Sequence, residues 1–225
     1  MKRVYFATFV MVLGILALGT SASATPYGFN NITNHATANI AGQLSMDVTE
    51  VVGGMASFRF TNNVGTLSSI QQIYFDASTL SWLSFVSMDQ NAGVVFGTDG
   101  ATPADLPAGN PYSFTSSYGY DADQTFGTAH PPQIVSQIEN GINHSGEWLS
   151  IVFSFNYSHT FDQLIAALDN NTFRVGLHVQ SIGGSGGPSD SFINTPVPEP
   201  ATMLLLGTGL AGLLAANRHR KANKS

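Results

Sequence analysis

The 225-residue chain carries 8 Lys and Arg against 14 Asp and Glu, together with 15 Phe and no cysteine. Without cysteine there are no disulfide staples, no thiolate nucleophile and no Cys-ligated zinc, so apolar burial must hold whatever folds. The formal net charge of −6 offers no basic face for phosphates and excludes nucleic acid as a partner.

At the amino end, Lys2 and Arg3 form a positive region, Val4 to Gly19 an apolar stretch, and Ala22-Ser23-Ala24 a small-residue cleavage site. This order predicts a secretory signal peptide over residues 1–24, taken through the secretion translocon and removed by signal peptidase after Ala24. A retained membrane anchor is the alternative, disfavoured by the A-x-A site. Between residues 25 and 195 the only cations are Arg59 and Arg174. They face thirteen of the fourteen carboxylates, a net charge of −11. Such a segment is not drawn to an anionic membrane surface. Divalent cations, neutral glycans and cationic partners remain open.

Thr25 to Asn39, rich in Asn, Thr and Gly, reads as an irregular lead-in. Leu44, Met46 and Val48 then alternate with Ser45, Asp47 and Thr49, the period of a half-buried strand. Val52-Gly53-Gly54-Met55 marks a turn, and Ala56, Phe58 and Phe60 the next strand, with Arg59 pointing the other way. Asn62-Asn63-Val64-Gly65 turns the chain again. Ile70 to Phe75 and Leu80 to Val86 are dense in β-branched and aromatic residues and predict two further strands, followed by a short run, Val94 to Phe96. Residues 97–132 read mostly as a long loop, with a strand near Tyr112 to Tyr118. Such a connection in a compact domain is functional or mobile. A brief helix is expected over 131–139.

The clearest alternations follow. Leu149, Ile151, Phe153, Phe155 and Tyr157 form one apolar face, and Phe173, Val175, Leu177 and Val179 another, as a one-side-covered antiparallel sheet requires. Between them Thr160-Phe161-Asp162-Gln163 is a capping box that opens a short helix to about Leu168. The fold class expected is therefore all-β: an antiparallel β-sandwich or jelly-roll-like domain over 25–182 with one short helix. Residues 183–195 read as a flexible linker and the end of the domain, with Phe192 and Ile193 in or beside a last strand. Gly183 to Gly187 spells GxSxG. No strand-to-helix elbow or downstream acid and His accompanies it, so Ser185 is read as a linker serine.

Candidate sites are sparse. Six histidines, at 35, 130, 144, 159, 178 and 219, show no metal-ligand spacing, and His178 is expected to be solvated. Glu139 and Glu147 can be imagined as a glycosidase pair, but sequence separation says nothing of the carboxyl distance that chemistry needs. Surface or cap roles suit them better. Asp121 and Asp123, in Tyr118-Gly119-Tyr120-Asp121-Ala122-Asp123, are a weak Ca²⁺ candidate, since loop carboxylates are hard oxygen ligands. Position twelve from Asp121 is Pro132, so this is no EF-hand. Tyr118 and Tyr120 are candidates for stacking on sugar rings, although pinning the loop to the core is the favoured role. No catalytic residue, cofactor or definite metal site is expected, and the chain is not expected to be an enzyme.

The last thirty residues are the most informative. Val197-Pro198-Glu199-Pro200 precedes an uncharged run from Ala201 to Ala216, and residues 217–225 carry Arg218, His219, Arg220, Lys221 and Lys224. The prolines cannot continue a helix backwards. The Leu- and Gly-rich run suits a membrane helix better than an amphipathic one. Its length of about 24 Å falls short of the roughly 30 Å of hydrocarbon in a bilayer, and the basic end should stay cytoplasmic. Gly207 to Gly212 spells GxGxxG, but no βαβ unit surrounds it.

In this order of features, residues 196–225 resemble the PEP-CTERM sorting signal of Gram-negative bacteria. The resemblance implies that Val197, Pro198, Glu199 and Pro200 form the motif recognised by a membrane processing enzyme, an exosortase, which removes or exchanges the tail. It implies transient anchoring in the inner membrane, then release to the cell surface or outside, in species that make exopolysaccharide and biofilm matrix. It says nothing about the upstream domain. The expectation is an exported protein with a structural or adhesive part in that matrix. The alternatives are a carbohydrate-binding module engaging exopolysaccharide through residues 112–126 and, behind it, a polysaccharide hydrolase.

Overall fold

The computed structural model describes residues 24–122, 140–156 and 158–196. The signal peptide expected over 1–24, but for Ala24, the helix expected at 131–139 and the tail from Val197 onward lie outside the described residues, as does Asp123. Nine strands are formed among those described: β1 (Thr25–Asn31), β2 (Leu44–Val51), β3 (Met55–Asn62), β4 (Ser69–Asp76), β5 (Leu83–Gln90), β6 (Tyr118–Asp121), β7 (Trp148–Phe155), β8 (Arg174–Gln180) and β9 (Asp190–Pro196). One α-helix, α1 (Phe161–Asp169), sits between β7 and β8. All strand pairs are antiparallel. The strands form one continuous sheet in the order β5-β7-β3-β2-β1-β9-β8-β4-β6.

The all-β antiparallel class with one short helix is as expected. In place of two separate sheets, however, a single sheet curls over its own apolar face. The alternation read from sequence explains why. Met46 and Val48 of β2, Phe58 and Phe60 of β3, Ile151 and Phe153 of β7, and Ile73 and Phe75 of β4 point to one side and are buried. A sheet with one apolar face must cover it, and here the far half of the sheet provides the cover. Phe75 lies at the meeting point. Its ring centroid is 5.4 Å from Phe58 and 5.0 Å from Phe153, although β4 stands five places from β3 in the sheet. Phe173 stacks on Phe75 at 6.1 Å, and Phe60 and Tyr120 each stand 6.0 Å away. The outermost strands come together too: the Tyr118 hydroxyl of β6 donates to the Leu83 carbonyl of β5 at 2.9 Å.

Local chemistry sets the connections. The β2–β3 register pairs Val51 with Met55, so Val52, Gly53 and Gly54 must reverse the chain. Gly53 and Gly54 do so at φ of 98° and 74°, where a Cβ would be strained. Thr160 caps α1 as predicted: its hydroxyl accepts from the Gln163 amide, and the Gln163 side chain accepts from the Thr160 N–H. Thr25–Asn31, read as a lead-in, is the strand β1, and the segment read as linker and end of the domain divides into a turn and the last strand, which holds Phe192 and Ile193 as expected. Residues 183–188 make a hydrogen-bonded turn, with the Ile182 N–H donating to the Pro188 carbonyl and Gly183 to Leu67. Residues 190–196 form β9, paired on both flanks.

The long connection after β5 is pinned to the sheet's outer face. Leu106 and Phe114 pack with Tyr74 and Ile193 in a second, smaller apolar cluster, and the Tyr74 hydroxyl donates to the Pro103 carbonyl at 2.9 Å. Gly176 permits this approach, because a Cβ there would meet Leu106 Cδ2 at 2.7 Å. Ring contacts at the meeting of the two halves predict that Phe75→Ala lowers unfolding free energy by about 3–5 kcal/mol. Denaturant titration of the purified exported protein measures this. A loss below about 1 kcal/mol, no more than a conservative core change costs, would show that these rings are not the joint.

Candidate functional site

Among the described residues, each sequence-predicted one has a definite place. Tyr118 and Tyr120 alternate on β6 with Gly119 and Asp121, and their register opposite Phe75 and Ile73 turns both rings inward. Tyr120 is 3% exposed and packs on Phe75 and Phe85. Tyr118 meets Phe153 edge-on at 5.1 Å. Tyr120 is closed off from solvent and Tyr118 is half-buried; both tie β6 to the core.

Asp121 points outward, where its carboxylate accepts from the Gln72 amide at 2.8 Å and the Thr102 N–H at 3.2 Å. Burial pushes its carboxyl above the usual range and outweighs those bonds. Among the described residues no three His, Asp or Glu gather around it or elsewhere as a metal cluster. Gln72 also accepts from His178 Nδ1 at 2.6 Å. His178 is therefore tied into this outer-face network and is not freely solvated, and burial lowers its pKa to about 4. Glu147 is buried and accepts from the N–H groups of Asn143 and His144 at 2.7 and 2.8 Å, closing the turn before β7. Glu139 lies outside the described residues. His159 stacks on Trp82 at 4.4 Å and His144 is exposed, so the described histidines do not converge.

A different arrangement, invisible in the sequence, surrounds β9. Asp190 opens that strand and is 1% exposed. Its carboxylate accepts from Asn31 Nδ2 at 3.0 Å, Thr33 Oγ1 at 2.7 Å, and the N–H groups of His35 and Ala36 at 2.6 and 3.1 Å. Burial opposes ionisation, but these four donors win and hold the carboxyl below its usual range. The segment after β1 is thereby fixed against the start of β9 as a wall.

Opposite stands Arg174, which pairs with Asp76 and donates to the carbonyls of Tyr112 at 2.7 Å and Ser113 at 2.6 Å. That fixes the second wall, and the Tyr112 hydroxyl reaches across to the Ile32 carbonyl at 3.4 Å. Between the walls lies an open groove of about 520 Å³ over β1 and β9. Six of its twelve lining residues are asparagines: 30, 31, 34, 39, 171 and 194. None of the twelve is acidic. The other cation, Arg59, covers the Trp148 ring at 4.3 Å, on the strands at the far end of the sheet.

Beyond the strand the chain passes straight into the segment singled out by sequence: β9 ends at Pro196. Residues 196–221 match the PEP-CTERM protein-sorting motif. No curated protein and no solved structure matches the chain. The motif marks an exported protein that an exosortase processes at the membrane. Val197, Pro198, Glu199 and Pro200 fall within the match but outside the described residues. Among the described residues no helix is long and apolar enough to cross a membrane; the run at 201–216 is not among them.

His178 generates a pH prediction. Its folded pKa of about 4 lies below the ordinary 6.5, so the unfolded chain binds the extra proton. Stability therefore falls as pH drops from about 6.5 towards 4. Replacing it by Gln should flatten that limb in urea titrations taken across the range, whereas an unchanged slope would show that other groups set it.

Proposed function

We propose that this is a non-catalytic surface or matrix protein whose β-domain remains attached through the sorting tail until an exosortase processes it, and which then serves a structural or adhesive part in an exopolysaccharide matrix. One observation carries the reading: the sorting motif begins on the last residue of a strand that is paired on both flanks. The folded domain and its membrane handle are thus one continuous piece of chain. The domain itself is a filled, curled sheet, consistent with a jelly-roll-like ectodomain. Its outward carboxylates close turns and fix loops, and this supports a scaffold in preference to a hydrolase, which needs two carboxyls facing each other across a cleft. A carbohydrate-binding role through Tyr118 and Tyr120 gains no support, because both rings are spent on the core.

On this reading Glu199, between Pro198 and Pro200, is the acidic member of the motif that the exosortase recognises. Glu199→Ala in the producing bacterium should therefore leave a precursor, heavier by the tail, in the inner-membrane fraction. The unaltered protein should be recovered, shortened, from surface or matrix fractions. Intact-mass spectrometry of both fractions decides. Normal mass and location for the variant would overturn the assignment of the motif.

A further inference from the structure

We propose that the groove over β1 and β9 is a binding site for a neutral, polyhydroxylated ligand of the saccharide class. The proposal rests on this groove and not on the sorting reading. Its volume of about 520 Å³ sits within the roughly 300–1,000 Å³ usual for small-ligand pockets.

The lining selects the chemistry. A primary amide donates and accepts at once, which is what a vicinal pair of hydroxyls requires. Asn31 and Asn39 are partly committed: Asn31 donates to Asp190, and Asn39 accepts from the Ala41 N–H. The side chains of Asn30, Asn34 and Asn171 are exposed and have no hydrogen-bond partner among the described residues. Asn194 borders the groove through its strand and not through its amide: its register partner is the inward Phe29, it is 1% exposed, and its oxygen accepts from the Val175 N–H at 2.6 Å. The donors and acceptors offered to a ligand are therefore those of the exposed asparagines. Tyr112 supplies an apolar ring face, 47% exposed and held across the cleft by its hydroxyl, against which sugar C–H groups can lie.

Charge excludes the competing classes. No carboxylate lines the groove, and Asp190 behind it already receives four donors, so a cation finds no ligand set. Arg174 is the only cation in the lining, and its guanidinium is spent on Asp76 and two carbonyls. An anionic ligand therefore gains little, and the −11 charge of residues 25–195 repels it. The few apolar lining residues, Ile32, Ala41 and Ile193, are too scattered for a lipid or an apolar peptide. Because the bonds to Asp190 and from Arg174 already hold both walls, binding would not have to order them, a condition that favours useful affinity from a shallow polar site.

The test is calorimetric titration of the purified exported protein with neutral gluco-, galacto-, manno- and N-acetylglucosamine oligosaccharides, with oligogalacturonate as the anionic probe. At least one neutral series should bind, and oligogalacturonate should not. Tyr112→Ala and Asn171→Gly, both at exposed positions, should each weaken that binding at least tenfold, the glycine because it removes the amide while keeping the φ of 60° that Asn171 adopts. Tyr112→Phe should keep most of the binding because the ring face remains. Unchanged melting temperatures identify these losses as local. The proposal falls if no neutral series binds, if the anionic oligomer binds better, or if a Tyr112→Ala, Asn171→Gly double variant binds like the parent.

Discussion

The structure depends on one geometric requirement: a nine-stranded sheet with a single apolar face has to find its own cover. No cysteine is available to tie distant strands together, and the helix is too short to shield more than a corner. The sheet therefore bends until Phe75 on one half reaches Phe58 and Phe153 on the other. Edge-to-face ring contacts at 5–6 Å favour the quadrupole as well as burying area. Everything on the outer face is organised by what this closure leaves outside, including the 97–117 loop lying over Gly176.

The distribution of charge follows from the same economy. With so few cations in the domain, each has a structural post: Arg59 over Trp148, and Arg174 between Asp76 and two loop carbonyls. Removing one partner of a partly buried pair leaves an uncompensated charge, so such pairs constrain loops more firmly than their net energy suggests. Asp190 does the same for residues 31–36 with hydrogen bonds in place of a counter-charge. Two ionised groups therefore shape a cleft whose own surface is almost entirely neutral.

Much of the fold was legible in the chain. The alternations in β2, β3, β7 and β8 and the Thr160–Gln163 capping box lie where hydrophobic period and cap chemistry place them. What escaped did so for physical reasons. A last strand at Phe192 and Ile193 was expected, but its full extent was not, because Ser191 to Asn194 are all buried and no polar–apolar rhythm exists to be read. In β1, Pro26, Gly28 and the asparagines mask the inward pair Tyr27 and Phe29. The Tyr118–Tyr120 spacing carried a usable sign: two aromatics at period two belong to one face of a strand, and on a strand flanked by core that face is inward. The groove had no such sign. Its asparagines come from four separate segments of the chain, and only the pairing of β1 with β9 brings residues 30 and 31 beside 194.

The junction at Pro196 has a mechanical meaning. A pull on the carboxyl end enters a strand bonded to β1 over five residue pairs and to β8 over four. Two ladders must then give way, where an edge strand is held by one. A strand seated between two neighbours leaves the sheet only when both ladders have broken.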